Sequence, residues 1–297
     1  MHTPRIAQYG SWRSPVTTDV MVAGGVRFGG LAAEGGRCYW VEGRSAEGGR
    51  NVLVCRDAGG CQSDLTPSPF NVRTRVHEYG GGAFAVREGT VWFVHFDDQV
   101  IYTITGAGNP VALTAPGPLR YANLTADLAG ERLLCVVEDH RPVECGGEPE
   151  NYLAAVSTET GELEVLASGH DFFSSPALSA DGRRLAWLTW DHPRMPWDGT
   201  ELWIAEFDKV GGVENPQKVA GGELVSVFQP SFADNGELYF VADPEDRKGF
   251  VFVSRMEDRL GLPEAAPYLL DYTISVREDG VDAWDEARKA EFLGSAH

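Results

Sequence analysis

Apolar and polar positions in this chain alternate in short bursts separated by glycine-centred turns. Residues 176–190, PALSADGRRLAWLTW, alternate small and apolar side chains, break at Asp181-Gly182, and resume as an apolar run. Residues 230–243, PSFADNGELYFVAD, repeat the design with the break at Asn235-Gly236. Asp-Gly or Asn-Gly between apolar stretches marks a tight hairpin, because glycine accepts a positive φ. Three weaker copies lie upstream: GGLAAEGGRCYWV turns at Gly36, GGAFAVREGTVWFV at Gly89, and ANLTADLAGERLLCVV at Gly130. The five turn glycines are 53, 41, 52 and 54 residues apart.

A second, more polar strand pair follows within the units. In the third it is YLAAVSTETGELEVL, turning at Thr160-Gly161; in the first it is NVLVCRDAGGCQSDL, turning at Gly59-Gly60. Four short strands per repeat of this length predict the blades of an all-β propeller. A parallel α/β sheet is not expected, because no amphipathic helix of 10–15 residues separates the strands. The end of the chain departs from the pattern. Residues 281–293 predict a short helix with Val281, Trp284 and Ala287 on one face and Gly294 just beyond its end. The expected organisation is an N-terminal arm over 1–25, a propeller of four-stranded antiparallel blades over 26–270, and a divergent tail with that helix over 271–297.

Composition sharpens this reading. The chain carries 35 Gly and 17 Pro in 297 residues, a turn-rich content that suits many short strands. Its formal net charge is −19, which repels phosphate backbones and excludes a nucleic-acid partner. The first residues, MHTPRIAQYGSW, hold no apolar leader core, and no run is long enough to span a bilayer. A cytoplasmic protein with no membrane partner is therefore expected. The five cysteines, at 38, 55, 61, 135 and 145, match no zinc spacing and read mostly as small buried thiols. No metal and no cofactor are expected.

Five stretches then occur in an order that resembles a known family. They are YGSWRSPVT (9–17), GGRNVLVCR (48–56), DLTPSPFNVRTRVHEYGGGAF (64–84), YANLTADLAGERLLCVVEDH (121–140) and SSPALSADGRRLAWLTWDHPRMPWDGTELW (174–203). Together they resemble the N-terminal propeller of prolyl oligopeptidase-family serine peptidases, in the bacterial dipeptidyl aminopeptidase or acylaminoacyl-peptidase-like branch. The resemblance covers roughly residues 8–243. It implies a two-part enzyme, in which the propeller limits substrates to short peptides and an α/β-hydrolase domain carries the Ser, Asp and His of a triad. A nucleophile elbow needs G-x-S-x-G, and the nearest case here is Gly43-Arg44-Ser45-Ala46-Glu47. No catalytic residue is carried over, and no peptidase activity is expected of these 297 residues by themselves. The family's propellers have more blades than five. An open ring is therefore expected, with apolar faces near 26–41 and 225–254 that self-associate, more so in salt.

Candidate site residues come from the blade entries and one loop. His77 and His170 each stand twelve residues before a turn glycine and are followed by an acid and an aromatic, His77-Glu78-Tyr79 and His170-Asp171-Phe172. This places both at the entry to an innermost strand, on one rim of the channel. There they either meet substrate or a hydrolase domain, or hydrogen-bond a neighbouring blade. Glu138, Asp139 and His140 end a strand together. They read as a solvated strand end, although the resemblance implies that acidic propeller residues can hold a peptide's amino terminus. Trp197 lies in the Pro-rich loop 191–199, DHPRMPWDG, and either packs beneath it or faces a cavity. Gly161 turns an outer strand pair, so valine is expected to be tolerated there better than at Gly182 or Gly236. Two rival functions remain. A free-standing propeller would bind a protein partner. A metal-centred lactonase would need convergent acids on the innermost strands, where small and apolar residues dominate.

Overall fold

The computed structural model describes residues 8, 11, 16–17, 24–106, 108–127, 131–243 and 252–253. Gly130, the charged stretch after Asp243 and the expected helix at 281–293 lie outside the described residues. The described part is all-β, in five consecutive antiparallel sheets whose strands pair in chain order. Sheet one holds β1 (Val26–Glu34), β2 (Arg37–Arg44), β3 (Arg50–Arg56) and β4 (Gln62–Asp64). Sheet two holds β5 (Phe84–Arg87), β6 (Thr90–Val94), β7 (Ile101–Thr105) and β8 (Val111–Ala112). Sheet three holds β9 (Leu119–Ala126), β10 (Arg132–Asp139), β11 (Glu150–Ser157) and β12 (Leu163–Ala167). Sheet four holds β13 (Phe172–Leu178), β14 (Arg184–Trp190), β15 (Glu201–Phe207) and β16 (Val213–Gly221). Sheet five shows β17 (Ser226–Phe232), β18 (Leu238–Asp243) and the two-residue β19 (Phe252–Val253).

Chain contacts divide the fold into two compact units, one ending at Val72 and the other beginning at Arg73. In the first unit, Val52, Leu53 and Val54 of β3 are fully buried. Arg44 closes that sheet with a two-pronged bond to Asp64, at 2.6 and 2.7 Å. In the second unit the sheets pack face to face. The middle strands read as unbroken apolar runs because both of their faces are covered. Along β10, Leu133, Cys135 and Val137 join a core with Trp92, Val94 and Ile101 of sheet two, while Leu134 and Val136 join a core with Leu185 and Trp187 of sheet four. Along β14, Ala186 and Leu188 turn the other way, toward Val227, Leu238 and Phe240 of sheet five.

The hairpin glycines behave as the sequence predicts. Gly36, Gly89, Gly182 and Gly236 have φ of 74°, 77°, 71° and 84°. A second repeat was not legible. Each of β9, β13 and β17 carries a bulge whose first residue adopts positive φ: Asn123 at 57°, Ser175 at 52° and Gln229 at 54°. Each lies seven residues before its turn position, at 130, 182 and 236. A bulge opposes two residues to one, so it shifts the register of everything on the far side of it.

The cysteine expectation is corrected in part. Cys55 and Cys135 are buried, but Cys38, Cys61 and Cys145 are exposed, and all five are free. Burial pushes the Cys135 thiol up to about 12. Thiolate is the reactive form, so a thiol reagent at pH 8 should label three cysteines quickly and the other two only in denaturant. Five fast-reacting thiols in the folded protein would contradict the packing of β3 and β10.

Candidate functional site on the rim of sheets two to four

Strand β10 ends in two carboxylates on opposite faces, and both are buried because both faces of the strand are covered. Glu138 is 5% exposed and Asp139 is 3% exposed. The solvated strand end expected from sequence is therefore corrected. A buried carboxylate is tolerated only when charge partners and hydrogen bonds surround it, and both have them. Asp139 accepts from the Arg141 guanidinium and from the Arg141 amide at 2.9 Å. Burial pushes its carboxyl upward, but the bonds from Arg141 outweigh that and hold it below the ordinary range.

Glu138 is the hub. Its Oε1 accepts from Arg120 at 3.0 Å and lies 2.5 Å from Nε2 of His140, and its Oε2 accepts the His77 amide at 2.6 Å. Arg120 stands opposite Glu138 in the β9–β10 ladder. The same guanidinium donates to Glu78 at 2.7 Å and to the Arg75 carbonyl at 3.0 Å. Three bonds to sheet three thus pin the segment that leads into sheet two. Its backbone is unusual, with His77 at φ 53° and Glu78 at φ 64°. Consecutive left-handed residues persist only where the surroundings hold them. Arg120 holds Glu78 below the usual carboxylate range.

The pinned turn sets His77 against sheet four. The imidazole meets Phe172 edge-on at 5.2 Å and Trp190 at 5.6 Å, with the Tyr79 hydroxyl 3.3 Å from Nδ1. Phe172 stacks on Trp190 at 5.3 Å and takes His192 edge-on at 5.0 Å. Burial lowers the His77 pKa, only partly offset by Glu138 and Asn151, so the ring is neutral at pH 7. Its Nε2 and the Asn151 Oδ1 are both buried without a hydrogen bond of normal geometry. His77 sits seven residues before β5 rather than at its entry, which departs from the sequence expectation.

His170 does lie at a strand entry, two residues before β13. Its Nδ1 is 2.9 Å from Asp191, and its ring meets Trp203 at 5.7 Å. Asp171 is exposed at the same corner. It donates its amide to Asp191 at 2.7 Å and accepts the His192 amide at 2.8 Å. The carboxyl of Asp191, raised by burial, is brought below the ordinary range by the Asp171 amide and by His170. Trp197 is 67% exposed, so the reading in which it packs beneath its loop is corrected.

The structure therefore brings His77, Glu78 and Glu138 together, seats His170 and Asp171 at the adjoining corner, and leaves Trp197 on the loop that follows β14. Sequence reasoning missed Arg120, Asn151, Phe172 and Trp190. Among the described residues, no group of three or more His, Cys, Asp or Glu side chains is placed to hold a metal ion. The arrangement is an aromatic wall in which Trp190 is buried and His77 and Phe172 are half-buried, edged by two carboxylates that Arg120 pairs.

The sequence matches no family model, and no curated protein matches it. Solved structures do. A puromycin hydrolase complexed with PGG is 33% identical, with a TM-score of 0.74, over 84% of this chain and 40% of that one. A puromycin-hydrolyzing peptidase of Mycobacterium tuberculosis is 32% identical, with a TM-score of 0.73, over 89% and 42%. Prolyl oligopeptidase B from Galerina marginata is 13% identical at a TM-score of 0.57, which shows the shared fold alone. This chain spans about two-fifths of the length of the first two.

Proposed function

We propose, from the premise that this chain is a β-propeller of the prolyl oligopeptidase family, that it is the non-catalytic, substrate-gating part of a serine peptidase acting on short peptides. The likeness carries the reading. It runs through 84% of this chain at 33% identity, yet covers only 40% of a puromycin hydrolase. The rim supports it. A gate has to present a fixed surface to passing substrate, and loops held by a rigid scaffold suit that task. Here the hub at Glu138 fixes the turn that carries His77 and Glu78, and the aromatic wall behind it does not depend on a mobile segment. Chemistry would come from a triad outside these residues. Gating comes from which peptides can reach it.

The test is a chimera in which this chain replaces the propeller of the puromycin hydrolase. Hydrolysis of dipeptidyl amides should persist while unfolded casein is cut far more slowly. Equal rates on short peptides and on casein would overturn the gating role. Hydrolysis by this chain alone would overturn its non-catalytic assignment.

A further inference from the structure

The loop 191–199 exposes a large apolar side chain on a backbone that is firmly held. Trp197 is 67% exposed, next to Met195 at 39%, with Leu224 at 62% on the turn that faces the loop. The other described tryptophans are buried or half-buried. Loop and turn are stitched together. Ser226 Oγ donates to the Pro196 carbonyl at 2.7 Å, and the Thr200 amide donates to the Val225 carbonyl at 3.1 Å. Arg194 pairs with Glu223 at 2.8 Å. Asp198 accepts the Met195 amide at 3.0 Å and so closes the loop on itself. Gly199 lies so close beneath the Gly222 and Glu223 carbonyls that no side chain fits there. The tryptophan is thus displayed by design of the backbone. An exposed aromatic on a fixed frame, flanked by other apolar groups, is the usual anatomy of a binding anchor.

Charge selects the occupant. The loop and its facing turn carry Asp191, Asp198 and Glu223 against one cation, Arg194, in a chain of net charge −19. A second copy would bring the same charge and be repelled, whereas a cationic ligand is drawn in. The loop continues directly from the aromatic wall, since its first residues, Asp191 and His192, contact His170 and Phe172. We infer that Trp197, Met195 and Leu224 form an apolar subsite for one hydrophobic side chain of a short peptide that carries a positive charge beside it. This deepens the gating reading and rests on it.

The test titrates the full chain with Lys-Phe-Gly-Gly, Lys-Ser-Gly-Gly and Glu-Phe-Gly-Gly by calorimetry. The Phe peptide should bind about tenfold more tightly than its Ser counterpart, as burial of one aromatic side chain requires. The Glu peptide should bind more weakly than the Lys peptide at low salt. Trp197→Ala and Leu224→Ser should each erase the preference for Phe while leaving the melting temperature unchanged, since both side chains are exposed. Equal affinity for the Phe and Ser peptides, or a preference that survives Trp197→Ala, overturns the subsite. So does a dimer that dissolves on Trp197→Ala, because the occupant is then a second copy. The casein chimera reads out independently, so gating can stand where this subsite fails.

Discussion

Valine at Gly161 is expected to cost about 3–5 kcal/mol of stability, more than valine at Gly182 or Gly236, reversing the order that the sequence suggests. Gly161 has φ of 72°, a conformation that a β-branched residue strongly disfavours. Strain alone would place it level with Gly182, at 71°, where a cost of about 1–3 kcal/mol is expected. The difference is what the turn touches. A Cβ at Gly161 would run into the Leu113 carbonyl, which follows β8 of the neighbouring sheet, and backbone cannot swing aside as a side chain does. At Gly236 the obstacle is the tip of the Arg184 side chain, 2.6 Å from an added Cβ, which can move. The Gly161 turn is also fixed, with its amide on the Ser157 carbonyl at 2.9 Å. Urea unfolding of the three variants reads the order. A smaller midpoint shift at Gly161 than at Gly182 would show that sheets two and three do not meet there.

Glu138→Ala is expected to lose about 3–5 kcal/mol, whereas Glu78→Ala loses less than about 1 kcal/mol, although both carboxylates bind the same arginine. The Glu78 side chain is 79% exposed and that of Glu138 is 6% exposed. Truncating Glu138 leaves the mostly buried Arg120 guanidinium without its inner partner and strips the His77 amide of its acceptor. Removing Glu78 leaves Arg120 with Glu138 and with the Arg75 carbonyl. Release of the turn should also change the near-ultraviolet dichroism, because His77 packs on Trp190 and Phe172. Thermal melts of both variants, with that spectrum alongside, decide the matter. Equal losses, or an unchanged aromatic signal in Glu138→Ala, would mean that Glu138 is no hub.

The hairpin turns, the period-two alternation and the apolar runs of β10 and β14 are local properties. They follow from glycine's access to positive φ and from strands that are covered on both faces, so the sequence alone was enough to predict repeated antiparallel sheets. The resemblance carried by residues 64–84 and 174–203 pointed to the right family. The rim was decided elsewhere. The β9–β10 hairpin starts with Ala126 opposite Leu133, and without a bulge that register would place Tyr121 across from Glu138. The bulge at Asn123 moves Arg120 there instead, and a single-residue slip of this kind exchanges one face of a strand for the other. Nothing in the pattern of apolar residues marks the slip. The burial of Glu138, the reach of His77 across to Phe172 and Trp190, the collision waiting at Gly161 and the exposure of Trp197 all depend on which sheet lies alongside. That is set by packing between residues tens of positions apart, which spacing along one chain does not encode.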